Sequence, residues 1–236
     1  MMAHPGAISG CPPGLEYLTQ IDQLIVRQQV DLLEVVVNWE VANRYSIQNS
    51  LGQQAYFAQE ESDMCQRQCC KQNRGFIMHI TDNNGQEVMR CIREFKCCVG
   101  CCWCADGSCG WEMSVESPPG NIIGYVRQQT SKWKPHIGVY DANHQMIFRL
   151  WGPCCPCQAI CCTDDVDITV YDPGMKTTIG RVFKRWDGCI RDAFTNADTF
   201  GVQFPMDMDV KAKALLVGCT FFVDFLIFEQ QKNNNQ

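Results

Sequence analysis

The stretch FIMHITDNNGQEVMRC, residues 76–91, decides the fold because it carries the signature of a β-hairpin. Phe76–Ile80 and Glu87–Cys91 are rich in β-branched and other apolar residues, which favour strands. Asp82-Asn-Asn-Gly85 lies between them, and Asn and Gly tolerate the positive φ that a tight turn requires. The stretch therefore predicts two antiparallel strands joined by a tight turn.

The same pattern recurs on both sides of this hairpin. Many short strands separated by Asn, Asp, Pro or Gly turns indicate a β-barrel or a sandwich. A barrel is favoured because closure removes exposed strand edges. A lone strand is also predicted at Phe200–Phe204. The further predicted hairpins pair Arg44–Gln48 with Gln54–Gln59, Trp111–Glu116 with Ile122–Gln128, Ile137–Tyr140 with Met146–Leu150, and Asp167–Tyr171 with Thr177–Phe183.

The first part of the chain shows a different pattern. Met1–Gly14 is rich in Pro and Gly and is predicted to be loose. Apolar residues recur at helical spacing from Tyr17 to Ile25, which predicts a short helix. Ile25–Arg27 and Leu32–Val37 are rich in β-branched residues and are typical of strands.

The composition fits one domain and excludes several functions. The chain has 236 residues, of which 46% are hydrophobic, so one core is predicted over residues 15–229 with a polar tail at 230–236. The net charge of −6 gives no general attraction to nucleic acid, and no nucleic-acid site is predicted. The sequence carries no hydrolase, kinase or dinucleotide-binding motif, so an enzyme is not predicted.

Cysteine is the unusual component, with 18 residues in the chain. Met1–Gly14 lacks the basic stretch and the apolar run of a signal peptide, which predicts a reducing compartment rather than disulfide bonds. In such a compartment, the expected uses of cysteine are acylation, metal binding and packing.

The C-terminal segment breaks the hairpin pattern and is predicted to form a helix over residues 210–229, capped by Asp207 or Asp209. Its apolar part would span about 22 Å as a helix, against a hydrocarbon core of about 30 Å. Asp224 would also cost roughly 2.5–3.5 kcal/mol at a helix centre in lipid. A helix buried in the core is therefore favoured over a membrane span, with a partner for Asp224 inside the barrel or at its mouth. The other residues assigned to this helix are Leu215, Leu216, Phe221, Phe222 and Phe225.

Four long stretches resemble the phospholipid scramblase family. They are CPPGLEYLTQIDQLIVRQQVDLLEV at 11–35, YSIQNSLGQQAYFAQEESD at 45–63, PPGNIIGYV at 118–126 and DAFTNADTFGVQFPMDMDVKAKALLVGCTFFVDFLIFE at 192–229. The resemblance implies a tubby-like fold, mainly β, in which a closed antiparallel barrel has a hydrophobic C-terminal helix through or beside it. It also implies calcium-dependent, ATP-independent movement of phospholipids between membrane leaflets. The implied location is the cytosolic face of the plasma membrane, with a single type II span as the rival arrangement.

The resemblance also implies palmitoylation of the cysteine run that occupies the place of the family's CCCPCC block. Each buried methylene adds about 0.8 kcal/mol of membrane affinity, so two or more acyl chains give a stable anchor. Zinc binding remains an alternative, because CCxxCC and CxC spacing can supply four thiolates, and so does packing of some of these cysteines as small apolar residues in the core. The predicted palmitoylation sites are Cys97, Cys98, Cys101, Cys102 and Cys104.

A second cysteine cluster lies further along the chain, and acylation, zinc binding and packing remain equally open for it. Cys65, Cys69 and Cys70 are too sparse to assign. The members of the second cluster are Cys154, Cys155, Cys157, Cys161 and Cys162.

A calcium site is implied at residues 196–207, which resemble the family's EF-hand-like loop. Oxygen donors fall at loop positions 1, 3 and 12, Gly201 supplies the turn at position 6, and weak binding of ~0.1–1 mM is expected. The alternation of Phe200, Val202 and Phe204 equally fits a strand with one buried face. The predicted ligands are Asn196, Asp198, Phe200, Val202 and Asp207.

A basic segment resembles a nonclassical nuclear import segment of the family. A strand with solvated charges and contact with phosphoinositide head groups are the two other interpretations. Its residues are Arg181, Lys184, Arg185 and Trp186.

The resemblance bears on two classes of partner. Membrane phospholipids are the predicted partner. Only Cys11–Gly14 matches the Pro-rich region through which family members recruit SH3 and WW domains, so those partners are not predicted. The alternative function is a palmitoyl-anchored, lipid-binding adaptor with protein partners and no transport of its own, with a nuclear pool when it is not acylated.

Overall fold

The computed structural model describes residues 1–2, 5–6, 8–29, 42–97, 105, 109–131, 134–152, 165–185 and 199–228. Within these residues the fold is mainly β, as predicted. The strands are β1 (Gln23–Gln29), β2 (Arg44–Asn49), β3 (Gln54–Glu61), β4 (Phe76–Asp82), β5 (Glu87–Arg93), β6 (Glu112–Glu116), β7 (Ile122–Gln128), β8 (His136–Asp141), β9 (Met146–Trp151), β10 (Val166–Tyr171), β11 (Thr178–Arg185) and β12 (Thr199–Gln203).

Helices occupy three parts of the described chain. A 3₁₀ helix at Glu16–Gln20 precedes β1. Helix α1 (Met64–Cys70) continues into a 3₁₀ turn at Lys71–Asn73, between β3 and β4. Helix α2 (Val210–Val223) ends in a π-helical turn at Asp224–Phe228.

The strands form one closed antiparallel barrel, in which each strand pairs with its neighbours in the sequence. Closure occurs at β1, which pairs with β2 on one side and with β12 on the other. Leu24, for example, lies opposite Asn49 of β2 and Val202 of β12. The predicted barrel and all five predicted hairpins are therefore confirmed, with strand ends that differ by one or two residues.

Three of the predicted turns are built in the same way, starting at Asn49, Asp82 and Asp141. In each turn the side-chain Oδ1 accepts hydrogen bonds of 2.8–3.0 Å from the backbone N–H groups two and four residues later. The residue three positions later has a positive φ between 60° and 80°. The side chain therefore replaces missing backbone partners, which explains why Asn and Asp mark these turns.

The helix predicted from Tyr17 to Ile25 is wrong in its second half. The 3₁₀ helix ends at Gln20, and Leu24 and Ile25 lie in β1. Pairing of β1 with two neighbouring strands overrides the local helical spacing, because it satisfies the backbone groups of both edges of the strand. The predicted strand at Ile25–Arg27 is confirmed, whereas Leu32–Val37 lies outside the described residues.

Helix α2 runs through the barrel and fills it. The residues from Lys213 to Val223 are all buried, and they pack with the inward-facing side chains of the strands in one apolar core. A helix that is apolar on every side suits a site that is enclosed on every side. The predicted buried helix is confirmed.

The start of α2 follows the predicted capping chemistry. Asp209 is the cap, because its Oδ1 accepts hydrogen bonds from the backbone N–H groups of Lys211 and Ala212 at 2.9 and 3.1 Å. Asp207 is exposed in the preceding turn. None of the helices in the described part of the chain is both long enough and apolar enough to cross a bilayer.

The barrel has two different ends. The turn end carries the five tight hairpin turns of the described residues and the start of α2. The long-connection end is where the longer segments between β1 and β2, β3 and β4, β5 and β6, β7 and β8, β9 and β10, and β11 and β12 leave and return, and where α2 finishes. This division decides which functional residues can meet.

Candidate functional site

The long-connection end gathers the segments that contain the cysteine groups. Cys65 and Cys69 are exposed on α1, and Cys97 is exposed just after β5. The segment that joins β9 to β10 leaves after Trp151 and returns at Val166, at the same end. The remaining predicted palmitoylation sites and the second cluster lie outside the described residues; they are Cys98, Cys101, Cys102, Cys104, Cys154, Cys155, Cys157, Cys161 and Cys162.

Two buried thiols show the opposite use of cysteine. Cys91 of β5 and Cys219 of α2 are both fully enclosed in the core. Burial raises the pKa of both thiols far above the ordinary value, because the thiolate is poorly solvated there. They act as small apolar residues, whereas the exposed thiols at the long-connection end remain accessible to reagents.

An aromatic and arginine stack fixes the last turn of the helix to the barrel wall at this end. The Phe225 ring stacks on Phe76 at a centroid distance of 4.1 Å. The Arg74 guanidinium lies 4.7 Å from the Phe225 centroid, and the Arg93 guanidinium lies 4.4 Å from the Trp111 centroid and 5.2 Å from that of Phe225. Buried cation–π contacts of this kind stabilise both the charges and the rings.

Glu60 pairs with one of these arginines. Arg74 donates from Nε to Glu60 Oε1 at 2.6 Å and from Nη2 to Oε2 at 3.0 Å, with both side chains almost fully buried. Desolvation acts to raise the Glu60 pKa, but hydrogen bonds from Arg74, Ser62 and the Asn43 backbone outweigh it and hold the pKa below its ordinary range. The pair is therefore ionised at neutral pH.

The partner that was predicted for Asp224 is Tyr45 of β2. The Tyr45 hydroxyl donates to Asp224 Oδ2 at 3.0 Å in a buried position. The Tyr45 ring also makes edge contacts with Phe200 and Phe221. A single carboxylate in the apolar helix is thus satisfied by the barrel wall.

The basic segment lies on the outside of β11. Arg181 and Arg185 flank the Phe183 ring, and both contact Asp167, at 3.4 and 2.9 Å. Lys184 is largely buried and Trp186 lies outside the described residues. The nearby carboxylate offsets part of the positive charge that would attract an anionic head group.

The predicted calcium ligands that lie among the described residues are spread along β12 and beyond its end. Phe200 and Val202 lie within this strand, paired with β1 and β11, and their side chains are buried. Thr199 begins β12 at the long-connection end, whereas Asp207 follows it at the turn end. Four residue steps along a strand cover about 13 Å, and calcium ligands lie about 2.3–2.6 Å from the ion. Asn196 and Asp198 lie outside the described residues.

A model of the family described as Scramblase matches residues 2–230. The chain belongs to the scramblase family. This scramblase-family chain is 43% identical over 236 residues to Phospholipid scramblase 1 of Rattus norvegicus, an alignment that covers 100% of this chain and 68% of the relative. It is 42% identical over 235 residues to Phospholipid scramblase 1 of Homo sapiens, covering 100% and 72%. It is 43% identical over 219 residues to Phospholipid scramblase family member 5 of Homo sapiens, covering 92% and 78%.

One solved structure is also similar to this scramblase-family chain. It is a protein of Arabidopsis thaliana determined by X-ray crystallography, with 11% sequence identity and a TM-score of 0.46, covering 91% of this chain and 99% of that chain.

Sequence reasoning missed Lys213 as a structural residue. Its ammonium group is buried at the turn end and donates to the carbonyls of Leu18, Ile21 and Met206 at 2.9, 2.9 and 2.7 Å. A single lysine that is followed by a long apolar run was the available signal. Its partners could not be foreseen, because two of them lie almost 200 residues away in the sequence.

Proposed function

We propose that this chain is a phospholipid scramblase that moves lipids in both directions between membrane leaflets, without ATP and in response to calcium. The observation that carries the proposal is the match to the scramblase family model over residues 2–230. Relatives that are named phospholipid scramblases, and that are more than 40% identical over the whole chain, support the lipid class.

The proposed attachment is by fatty acids in thioester linkage on the cytosolic face of the plasma membrane. Cys97 supports this because it is exposed and leaves the barrel beside the other predicted sites in the same connection. Several acyl chains on one connection would supply the two signals that stable membrane binding requires. In this proposal, non-acylated chains form a nuclear pool through the basic segment at Arg181–Arg185.

The filled barrel limits how lipid can move. Apolar side chains of α2 and of the strands occupy the interior, which suits neither a charged head group nor water. In this conformation, lipid head groups would therefore have to pass along the outer surface or between copies of the protein.

The calcium response has a geometric condition. In this proposal calcium draws β12 out of the barrel, because the intact strand keeps Thr199 about 13 Å from Gln203, and Asp207 lies beyond Gln203 at the turn end. We expect calcium to speed amide hydrogen exchange at Thr199–Gln203. A calcium response with unchanged exchange there would place the ion elsewhere.

The decisive test is reconstitution of the purified full-length chain in liposomes that contain a fluorescent lipid. Dithionite quenches the outer leaflet alone, so a scramblase allows quenching of more than about half of the signal. We expect extra quenching with calcium and without ATP, and its loss in Asp198→Ala and Asp207→Ala. Lys211→Ala is the matched control, because Lys211 is exposed and lies at the same end of the barrel as Asp207.

The second candidate function is a lipid-anchored adaptor without transport. The filled barrel favours it, because a solid core makes the domain a rigid platform. The protein must first be shown to be folded and membrane-bound. If quenching then equals that of protein-free liposomes, both with and without calcium, the result would support the adaptor and contradict the scramblase.

A further inference from the structure

Helix α1 places cysteine where this residue is seldom found. Three of its seven residues are Cys65, Cys69 and Cys70, and none of the residues of α1 is buried. Free cysteine is among the residue types most often found inside proteins. The thiols of α1 therefore do not fill the core, and their exposure indicates a role that depends on the reactivity of the thiol group.

The helix points two thiols outward on the same face. Cys65 and Cys69 are exposed and are four residues apart, which brings side chains to one face of a helix. Other side chains of α1 are hydrogen-bonded to the residues that lead from β3 and into β4. Gln66 Oε1 accepts from Gly75 N at 3.0 Å, and Arg67 donates to Ser62 Oγ at 2.9 Å.

The two connections that carry exposed thiols are neighbours. Ser62 and Asp63, just before α1, line the same open groove of about 370 Å³ as Ile92 and Arg93 at the end of β5. A β-carbon placed on Gly75 would lie 2.7 Å from the backbone nitrogen of Phe95. The two connections therefore leave the barrel side by side.

Apolar side chains close to these thiols in the sequence are also exposed to solvent. Met64 at the start of α1 is 54% exposed, and Phe95, two residues before Cys97, is 43% exposed. An exposed methionine and phenylalanine beside exposed thiols suit a surface that meets lipid acyl chains.

Metal binding and disulfide formation fit α1 less well. Among the described residues, no three Cys, His, Asp or Glu side chains converge as metal ligands. The cysteines of the described part of the chain are free thiols.

We propose that Cys65 and Cys69 of α1 are S-acylation sites, which form a second lipid anchor beside the connection that follows β5. This inference rests on the thioester anchoring in the proposed function. Each cysteine Sγ attacks the carbonyl carbon of a fatty acyl-coenzyme A, and a new C–S bond forms as the bond to coenzyme A breaks. Coenzyme A leaves as its thiol with the proton that the cysteine gives up, so the exchange involves no oxidation or reduction.

The two anchors fix the orientation of the barrel. Both lie at the long-connection end, so the barrel meets the membrane with this end and turns its tight hairpins away. Cys11 lies at the turn end, beside Glu16 and Asp209, and is not acylated in this arrangement.

The test counts thioesters on the full-length chain expressed in human cells. Free thiols are blocked, thioesters are cleaved with hydroxylamine, and each released thiol receives one polyethylene glycol maleimide, which adds one step in gel mobility. The variant Cys65→Ser/Cys69→Ser is expected to lose two steps. Cys11→Ser, the matched control at the opposite end, is expected to lose none, and equal melting temperatures would exclude unfolding.

A further variant distinguishes the α1 anchor from the first anchor, on the connection that follows β5. It carries serine at Cys97, Cys98, Cys101, Cys102 and Cys104. We expect it to keep the two α1 steps and to stay on membranes, and we expect release when Cys65→Ser/Cys69→Ser is added. A wild-type number of steps in Cys65→Ser/Cys69→Ser, or zinc lost from that variant, would overturn the α1 anchor while leaving the first anchor intact. A wild-type chain without any step would contradict both.

Discussion

At the scale of single residues, Lys213 and Glu60 show how charges are accommodated in an apolar barrel. The Lys213 ammonium has three N–H groups and donates them to three backbone carbonyls. Burial lowers the pKa of Lys213, while Asp22 and Asp207 act in the opposite direction. Glu60 is instead held by the bidentate contact with Arg74. Lys213 thus holds α2 at the turn end of the barrel, and the Glu60–Arg74 pair holds β3 to the residues before β4 at the long-connection end.

We expect Lys213→Met to lower the free energy of unfolding by about 1–3 kcal/mol, because buried carbonyls lose their donor. Urea unfolding followed by tryptophan fluorescence measures the change. Lys211→Met is the control, since Lys211 is exposed on the same helix. Equal stability of the two variants would show that other donors replace the ammonium group.

Glu60 gives a prediction for the pH dependence of stability. Its pKa is lower in the folded chain, so the folded state binds fewer protons, and stability is lost as the pH falls below about 4.3. Glu60→Gln should cost about 3–5 kcal/mol at neutral pH by leaving the Arg74 charge uncompensated. The difference from the wild type should shrink in acid.

Melting temperatures measured from pH 7 to pH 3 test this expectation, with the exposed Glu94→Gln as the matched control. A constant difference between Glu60→Gln and the wild type over this range would mean that the pair does not titrate as described.

At the scale of elements, α2 depends on one close approach to the barrel wall. A β-carbon at Gly218 would lie 2.8 Å from Val115 Cγ2 and 3.3 Å from Cys91 Sγ. A glycine in the middle of a helix costs about 1 kcal/mol of helix propensity relative to alanine. Its presence here is explained by the need for space between the helix and β6.

We expect Gly218→Ala to destabilise the chain, because overpacking costs about 1–3 kcal/mol, whereas the gain in helix propensity is only about 1 kcal/mol. Adding Val115→Ala should recover part of the loss, since it removes the clashing methyl group. The coupling in a double-mutant cycle measures this recovery. Additive losses in the cycle would argue against the steric contact.

At the scale of the whole molecule, the closed barrel separates the exposed cysteines from the apolar core. The apolar helix α2 lies in the core of the barrel, and the exposed cysteines lie at the long-connection end. Membrane attachment through that end would leave the core unchanged, so removing acyl chains should release a folded protein.

We expect neutral hydroxylamine to move the membrane-bound chain to the soluble fraction with its melting temperature unchanged, because this reagent cleaves thioesters. Membranes treated with Tris at the same pH and ionic strength are the control, and blotting of the two fractions gives the readout. Retention on membranes after complete deacylation would show that another part of the chain holds it there.

Local chemistry made much of the fold predictable. The turns at Asn49, Asp82 and Asp141 and the alternation of the strands around them depend on neighbouring residues, so the sequence by itself determined the hairpins. The apolar run after Asp209 likewise determined a buried helix. The prediction from helical spacing before Ile25 was wrong, because pairing of β1 with β2 and with the distant strand β12 was stronger than the local pattern.

The tertiary structure alone decided which distant groups meet. It gave Asp224 and Lys213 their partners, and it separated Thr199 from Asp207 by the length of β12. It also brought the connections that carry the cysteine groups to one end of the barrel. The physical reason is that the ends of the barrel are set by the antiparallel pairing of all its strands, a long-range property that no single stretch of sequence contains.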